Sequence, residues 1–156
     1  MNYQITSDTH LGHDRLCELT HRPANFSDMI LKRHAAALNP GDVLIHLGDI
    51  CIGHDAIWHE QLLAHAGPKW LIKGNHDRRS NTWYLSHGWD FVADAIVMNI
   101  FGKKILFSHR PQDCFGYDLN IHGHVHARDI EPMSDKHRLI IMEHGYTPFN
   151  LRRVVQ

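Results

Sequence analysis

No stretch of this 156-residue chain is apolar for long enough to cross a bilayer, and it contains no internal repeat, low-complexity tract or linker. Charge of one sign is lacking as well. The formal net charge is -1 and the pI is near 7.0, so no protein-wide positive field draws in duplex nucleic acid or an anionic membrane. Neither is expected as a partner, and a nucleic-acid substrate would have to be held locally. Cysteine is scarce: Cys17, Cys51 and Cys114 form an odd set without CxxC spacing. That excludes zinc-finger chemistry and favours reduced thiols over a disulfide framework. The first strand-like segment, 1–5, has neither a basic n-region nor an apolar h-region before it, so a cytoplasmic location is expected. Aromatic residues make up 9% of the chain. Trp58, Trp70, Trp83 and Trp89 follow no pattern, which reads as packing and not as a base-stacking platform.

What is present is an ordinary globular composition, 43% hydrophobic and 21% charged, in a chain long enough to bury a layered core. One domain covering residues 1–156 is expected. Histidine is the exception to the ordinary, with 16 against 16 Lys plus Arg. Imidazole is both a proton shuttle and the commonest metal ligand near neutral pH.

Short apolar runs bounded by turn residues, at 3–6, 43–47, 70–72, 95–101, 105–107 and 139–142, read as mostly buried strands. Helical patterns lie between the early ones. Residues 27–38 place Leu31, Ala35 and Leu38 on one face, and residues 55–66 do the same with Trp58, Leu62, Leu63 and Ala66. Ser27 and Asp55 are plausible N-caps. The first half is thus βαβαβ. Gly102-Lys103 suggests a hairpin, which makes the later strands antiparallel or mixed. The fold class expected is α/β, an α+β sandwich of two mixed β-sheets flanked by helices. The polar segment 129–137 reads as a loop, and 146–156 as a final strand or a partner surface.

Polar clusters follow the apolar runs: Asp8-Thr9-His10, Gly48-Asp49, Gly74-Asn75-His76-Asp77, Ser108-His109 and Gly123-His124-Val125-His126. Loops beyond the strand ends of an open α/β sheet converge on one edge, so these residues are expected to meet in space. Carboxylate and amide oxygens together with imidazole nitrogens suit manganese, iron, zinc, cobalt or nickel. A single shared carboxylate can hold two such ions about 3.5 to 4 Å apart, astride an in-line phosphoryl displacement. In a chain so rich in histidine the His124-Val125-His126 pair means little by itself. The specific signal is the conjunction of DxH, GD, GNHD, a lone histidine after a strand, and GHxH, in that order.

In that conjunction the sequence resembles the calcineurin-like metallophosphoesterase family, over residues 8–126. The resemblance implies the calcineurin-like phosphoesterase architecture and two divalent metal ions, manganese first among the candidates. Asp8, His10 and His126 would hold one ion and Asn75, His109 and His124 the other, with Asp49 bridging. It also implies that His76 is the catalytic histidine over the substrate phosphate, stabilising or protonating the leaving oxygen. The nucleophile would be a water or hydroxide held between the metals. Phosphatases of this family that act on proteins carry an extended GDxxDR motif, and here Ile52 stands where its second aspartate would be. That speaks against phosphoproteins and for the family's minimal phosphodiesterases, acting on small phosphate esters or (cyclic) nucleotides.

Other residues near the motifs have plainer readings beside the functional one. His13, Arg79 and Arg110 are candidates for binding substrate phosphate, as are Arg22 and Arg78, although surface ion pairs are the usual fate of such arginines. His46 and His122 are expected to orient ligands or fill the core, Cys51 to be a small buried thiol, and His21, His34, His59, His65, His87 and His137 to face solvent. Two alternatives stand beside the hydrolase: a metal-binding scaffold of the same fold without turnover, and a nuclease acting on single strands. Oligomeric state is not legible.

Overall fold

The computed structural model describes residues 2–126 and 134–156. Strands β1 (Tyr3–Thr6), β2 (Val43–His46), β3 (Lys69–Ile72) and β4 (Phe91–Ala93) run parallel, in the spatial order β4-β3-β2-β1. Helices α1 (Leu16–Leu19), α2 (Phe26–Ala37), α3 (Asp55–Leu62) and α4 (Asn81–Ser86) occupy the connections. Every residue of β2 is buried, because both faces of its sheet are covered. Alternation sorts the side chains: Leu44 packs with Phe26, Ile30, Leu62 and Tyr84 of the helices, while Val43 and Ile45 face the second sheet.

The second sheet has the order β5-β6-β7-β8, from β5 (Ala95–Ile100), β6 (Lys103–Ser108), β7 (Leu119–His122) and β8 (His137–Leu139). β5 and β6 form an antiparallel hairpin, whereas β6, β7 and β8 are parallel. The turn is Phe101-Gly102, both with positive φ (53° and 75°), the two-residue geometry that matches strand twist. The chain closes with β9 (Phe149–Asn150), antiparallel to β1, and α5 (Leu151–Val155). Ile5, Ile45, Leu47 and Ile72 meet Ile105, Phe107 and Ile121 between the sheets, joined by Leu151 and Val155 of α5. The architecture is the α/β sandwich of two mixed sheets that the sequence predicts. No helix among the described residues is long and apolar enough to cross a membrane.

Several local expectations are corrected. α2 begins at Phe26 after Asn25, and the Ser27 hydroxyl accepts the Gly12 N–H at 3.0 Å instead of capping the helix. His54 precedes α3, and the Asp55 carboxylate pairs with Arg79. His34 and His59 are buried, not solvent-facing, packed between the helices and the first sheet. The last predicted run is shifted, since β8 ends at Leu139. β7 is not among the predicted apolar runs, because Asn120 and His122 interrupt its pattern. Asn120 is wholly buried, yet its amide donates to Leu106 O (3.1 Å) and Ser108 Oγ (2.9 Å) while its oxygen accepts the Gln112 N–H (2.8 Å). Of the loop expected at 129–137, residues 129–133 lie outside the described residues, and His137 opens β8.

Candidate metal centre

The motif loops leave the C-terminal ends of β1, β2, β3, β6 and β7. Parallel strands point their ends alike, so the exits of each sheet gather on one edge. Packing the sheets face to face then joins the two sets of loops. Asp8, His10 and His126 each bring one ligand atom within 4.8 Å of the others, as do Asp49, His109 and His124. The two groups meet at Asp49, whose Oδ2 lies 3.6 Å from His10 Nε2 and 3.3 Å from His109 Nε2. Asn75 joins the second group, with Oδ1 3.0 Å from His109 Nε2, and His124 Nδ1 stands 3.1 Å from the same nitrogen.

These polar atoms are unbalanced in a way that a cation relieves. His109 Nδ1–H donates to the Leu47 carbonyl at 2.7 Å, so the neutral ring offers only a lone pair at Nε2. That lone pair faces the oxygens of Asn75 and Asp49. One proton can serve one such contact at a time, whereas a divalent ion accepts from all of them. In the first group Asp8 Oδ1 and both ring nitrogens of His10 are buried without a hydrogen-bond partner among the described residues. Each unpaired buried group of this kind costs roughly 1–3 kcal/mol. The donor set, oxygen and imidazole without thiolate, fits divalent first-row metals.

Electrostatics prepare the same site for positive charge. Burial opposes ionisation of Asp8, but His10, His109 and Ser7 hold its carboxyl down at about 2. Asp49 is lowered too, against its own desolvation, by the His109 hydrogen bond and charge. His109 moves the opposite way: desolvation would lower it, and the Asp49 and Asp8 carboxylates raise it overall. His124 is lowered, chiefly by burial and then by His109 and Arg110.

The backbone holds these groups in conformations that chains seldom adopt. Asp8, His10, Asp49 and His124 all lie in the left-handed region, at φ of 52°, 46°, 58° and 67°. Hydrogen bonds fix which oxygen faces inward. Ser7 Oγ–H (2.5 Å) and the His124 N–H (2.9 Å) donate to Asp8 Oδ2, leaving Oδ1 for the cluster. The His76 N–H donates to Asp49 Oδ1 at 2.8 Å, leaving Oδ2. Gly74 and Gly123 are required for contact: a Cβ on Gly74 would overlap Asp49 Oδ1, and one on Gly123 would overlap Ser7 Oγ and Asp8 Oδ2.

His76 sits on the rim, half-buried, its ring edge-on to that of His10 at 5.3 Å between centroids. No hydrogen bond reaches its ring among the described residues. The His13 ring also neighbours that of His10, at 5.6 Å between centroids, and Arg110 is exposed with Nη2 3.4 Å from Asn75 Oδ1. Arg79 is committed elsewhere, to Asp55 at 2.9 Å and over the Trp83 ring. His46 is buried behind the cluster, accepting the Gly48 N–H (3.0 Å) and donating to Thr9 Oγ (2.9 Å), which donates to Ile50 O (2.8 Å). Cys51 is a buried thiol, its pKa pushed up by desolvation and then by Asp55 and Asp77.

Two clefts open beside the cluster. One, about 500 Å³, is lined by Lys73, Asn75, Asp94, His109 and Arg110; the other, about 470 Å³, by Ile52, Asp55, His76, Arg78 and Arg79.

Sequence reasoning missed three supporting residues. The buried Asp77 carboxylate accepts N–H groups of Asp49 (2.7 Å), Ile50 (3.1 Å) and Gly74 (2.8 Å), clamping two motif loops together. It stood inside the GNHD cluster, and only its position there hinted at a role. Arg22 is buried instead of presented to substrate, and Glu143, which it contacts, belongs to no motif.

Comparison with known proteins gives the fold some company. No family model matches the sequence, and no curated protein matches it either. Among solved structures, a protein of unknown function from Aquifex aeolicus is 26% identical, with a TM-score of 0.79 over 99% of this chain and 97% of that one. A novel archaeal phosphodiesterase is 19% identical, with a TM-score of 0.54 over 90% of this chain and 82% of that one, a likeness of fold.

Proposed function

We propose that this protein is a dinuclear metal-dependent phosphoesterase that hydrolyses small phosphodiesters, nucleotides or cyclic nucleotides among them. The observation that carries the proposal is the convergence of carboxylate, amide and imidazole atoms on two adjoining groups that meet at Asp49. Asp8, His10 and His126 would hold one ion, and Asn75, His109 and His124 the other. Two divalent ions so bound, manganese first in expectation, supply Lewis acidity to a phosphoryl oxygen and acidify an attacking water.

The remaining work falls to the chain itself. His76 is placed by its own N–H bond to Asp49 Oδ1 and sits half-exposed at the rim, where a ring nitrogen can give a proton to the leaving oxygen. Arg110, exposed beside Asn75, is positioned to hold a phosphate oxygen. His13, its ring 5.6 Å from that of His10, extends the polar rim.

A diester carries two substituents on phosphorus, and the two clefts favour it over a monoester. They share no lining residue and reach the cluster through the neighbours Asn75 and His76. Lys73 and Arg110 against Asp94, and Arg78 and Arg79 against Asp55, leave each with an excess of positive charge for an anionic substituent. Ile52, exposed in the second cleft, offers that substituent an apolar contact.

The test is to strip the protein of metal and assay bis(p-nitrophenyl) phosphate against p-nitrophenyl phosphate, with Mn, Ni, Co, Zn and Mg added back. Mn-dependent diester cleavage, lost in Asp49→Asn, is expected. Silence with every metal on both esters would overturn the proposal.

A further inference from the structure

The two halves of the cluster are supported differently from behind. His109 rests its Nδ1–H on a neutral backbone carbonyl, that of Leu47. His126 rests its Nδ1–H on the Glu143 carboxylate, at 3.3 Å. Glu143 belongs to the turn after β8, in the second sheet, and its Oε1 also accepts from Arg22 Nε at 2.9 Å. Arg22 comes from the other layer, between α1 and α2, and its side chain is wholly buried. The rest of its guanidinium is spent on the backbone of the DxH loop: Nη1 donates to Thr9 O and Nη2 to Asp8 O, both at 2.8 Å.

One planar fork therefore ties the backbone of Asp8 to the carboxylate that orients His126. Asp8 and His126 lie 118 positions apart and share a candidate metal position. A carboxylate behind a ligating imidazole fixes the ring's tautomer and raises its basicity. Guanidinium does what an ammonium cannot, since three N–H groups must point at three acceptors in one plane.

We infer that Glu143 and Arg22 are positioning residues that set metal affinity at the Asp8–His10–His126 position and leave the Asn75–His109–His124 position unaffected. The inference rests on the two-metal reading of the cluster, though on its metal binding and not on its hydrolysis. Glu143→Gln keeps an oxygen that can accept from both His126 and Arg22, and removes only the charge. Loss of such outer support typically costs 10–100-fold in metal affinity.

Calorimetric titration of the metal-stripped full chain with Mn tests this. The wild type is expected to bind in two resolvable steps. Glu143→Gln should weaken one step by about 10–100-fold and leave the other unchanged, and Glu143→Ala should weaken the same step further. Asn75→Ala should weaken the other step alone. Thermal unfolding of each metal-free variant separates positioning from folding, because a purely structural role would lower both steps together with the melting temperature. Equal loss at both steps, or two unchanged steps in Glu143→Gln, overturns the inference while leaving the phosphoesterase proposal intact. Two-step binding with no hydrolysis of any ester overturns the phosphoesterase proposal alone, and a wild type that binds none of Mn, Ni, Co, Zn and Mg overturns both.

Discussion

The Asp8–His10–His126 group and the Asn75–His109–His124 group offer similar donor atoms from unlike surroundings. The first is the more enclosed: Asp8 and His10 are buried, His126 is partly exposed, and Arg22 and Glu143 back it from behind. The second is more open, with Asn75 exposed and the exposed Arg110 bonded to it beside a cleft. Under the proposed function, the more enclosed half would hold its ion in fixed geometry, and the more open half would leave room for a substrate. Asp49 belongs to both, which is why it is the first residue to change.

Asp49→Asn removes the shared charge from both halves, and hydrolysis should fall to background with loss of both Mn equivalents, read by activity and metal analysis. If one equivalent and measurable turnover survive, the halves are independent and the comparison breaks. His76→Ala should lower kcat by about 10²–10⁴-fold with metal content unchanged, and the deficit should shrink for diesters whose leaving group is a weak base. A deficit that ignores the leaving group would mean His76 does something other than proton donation.

The helical core supplies a contrast by pH. His46 accepts the Gly48 N–H and His59 accepts the Trp89 indole N–H, so both are neutral when folded. Burial foremost holds their pKa values at about 3 and about 4. In the unfolded chain they titrate near the ordinary value of about 6.5, so as pH falls below that the unfolded state takes protons that the fold refuses. Stability should therefore drop from pH 6.5 toward pH 4, by about 1.4 kcal/mol per pH unit for each ring at most. Chemical denaturation across that range should show the slope, and His59→Gln should remove its share. Last and smallest, Arg110→Ala should raise KM by roughly tenfold, the worth of one charge-assisted hydrogen bond, with kcat nearly unchanged. A change in kcat instead would place Arg110 with the reacting atoms and not at the entrance.

Much of the site is legible without coordinates because each motif residue follows a short apolar run, and strand exits are local features. Asp8, Asp49, Asn75 and His109 are each marked by what precedes them in the chain, and His124 by its GHxH spacing. The fold is legible for a related reason: runs such as 43–47, apolar except for His46, do not alternate and so need two covered faces. β7 was less so, since Asn120 is polar by composition and satisfied only by neighbours on other segments.

By itself the sequence determined the type of atoms at the centre, the order of their loops and the layered sheet architecture, all written in nearest neighbours along the chain. Only the tertiary structure decided what stands behind them. Arg22 looked like a phosphate ligand and is an internal brace, Glu143 gave no signal, and His34 and His59 looked like surface residues. Their roles come from partners up to 121 positions away, and burying a polar side chain is costly unless folding brings it a partner for its charge or hydrogen bond.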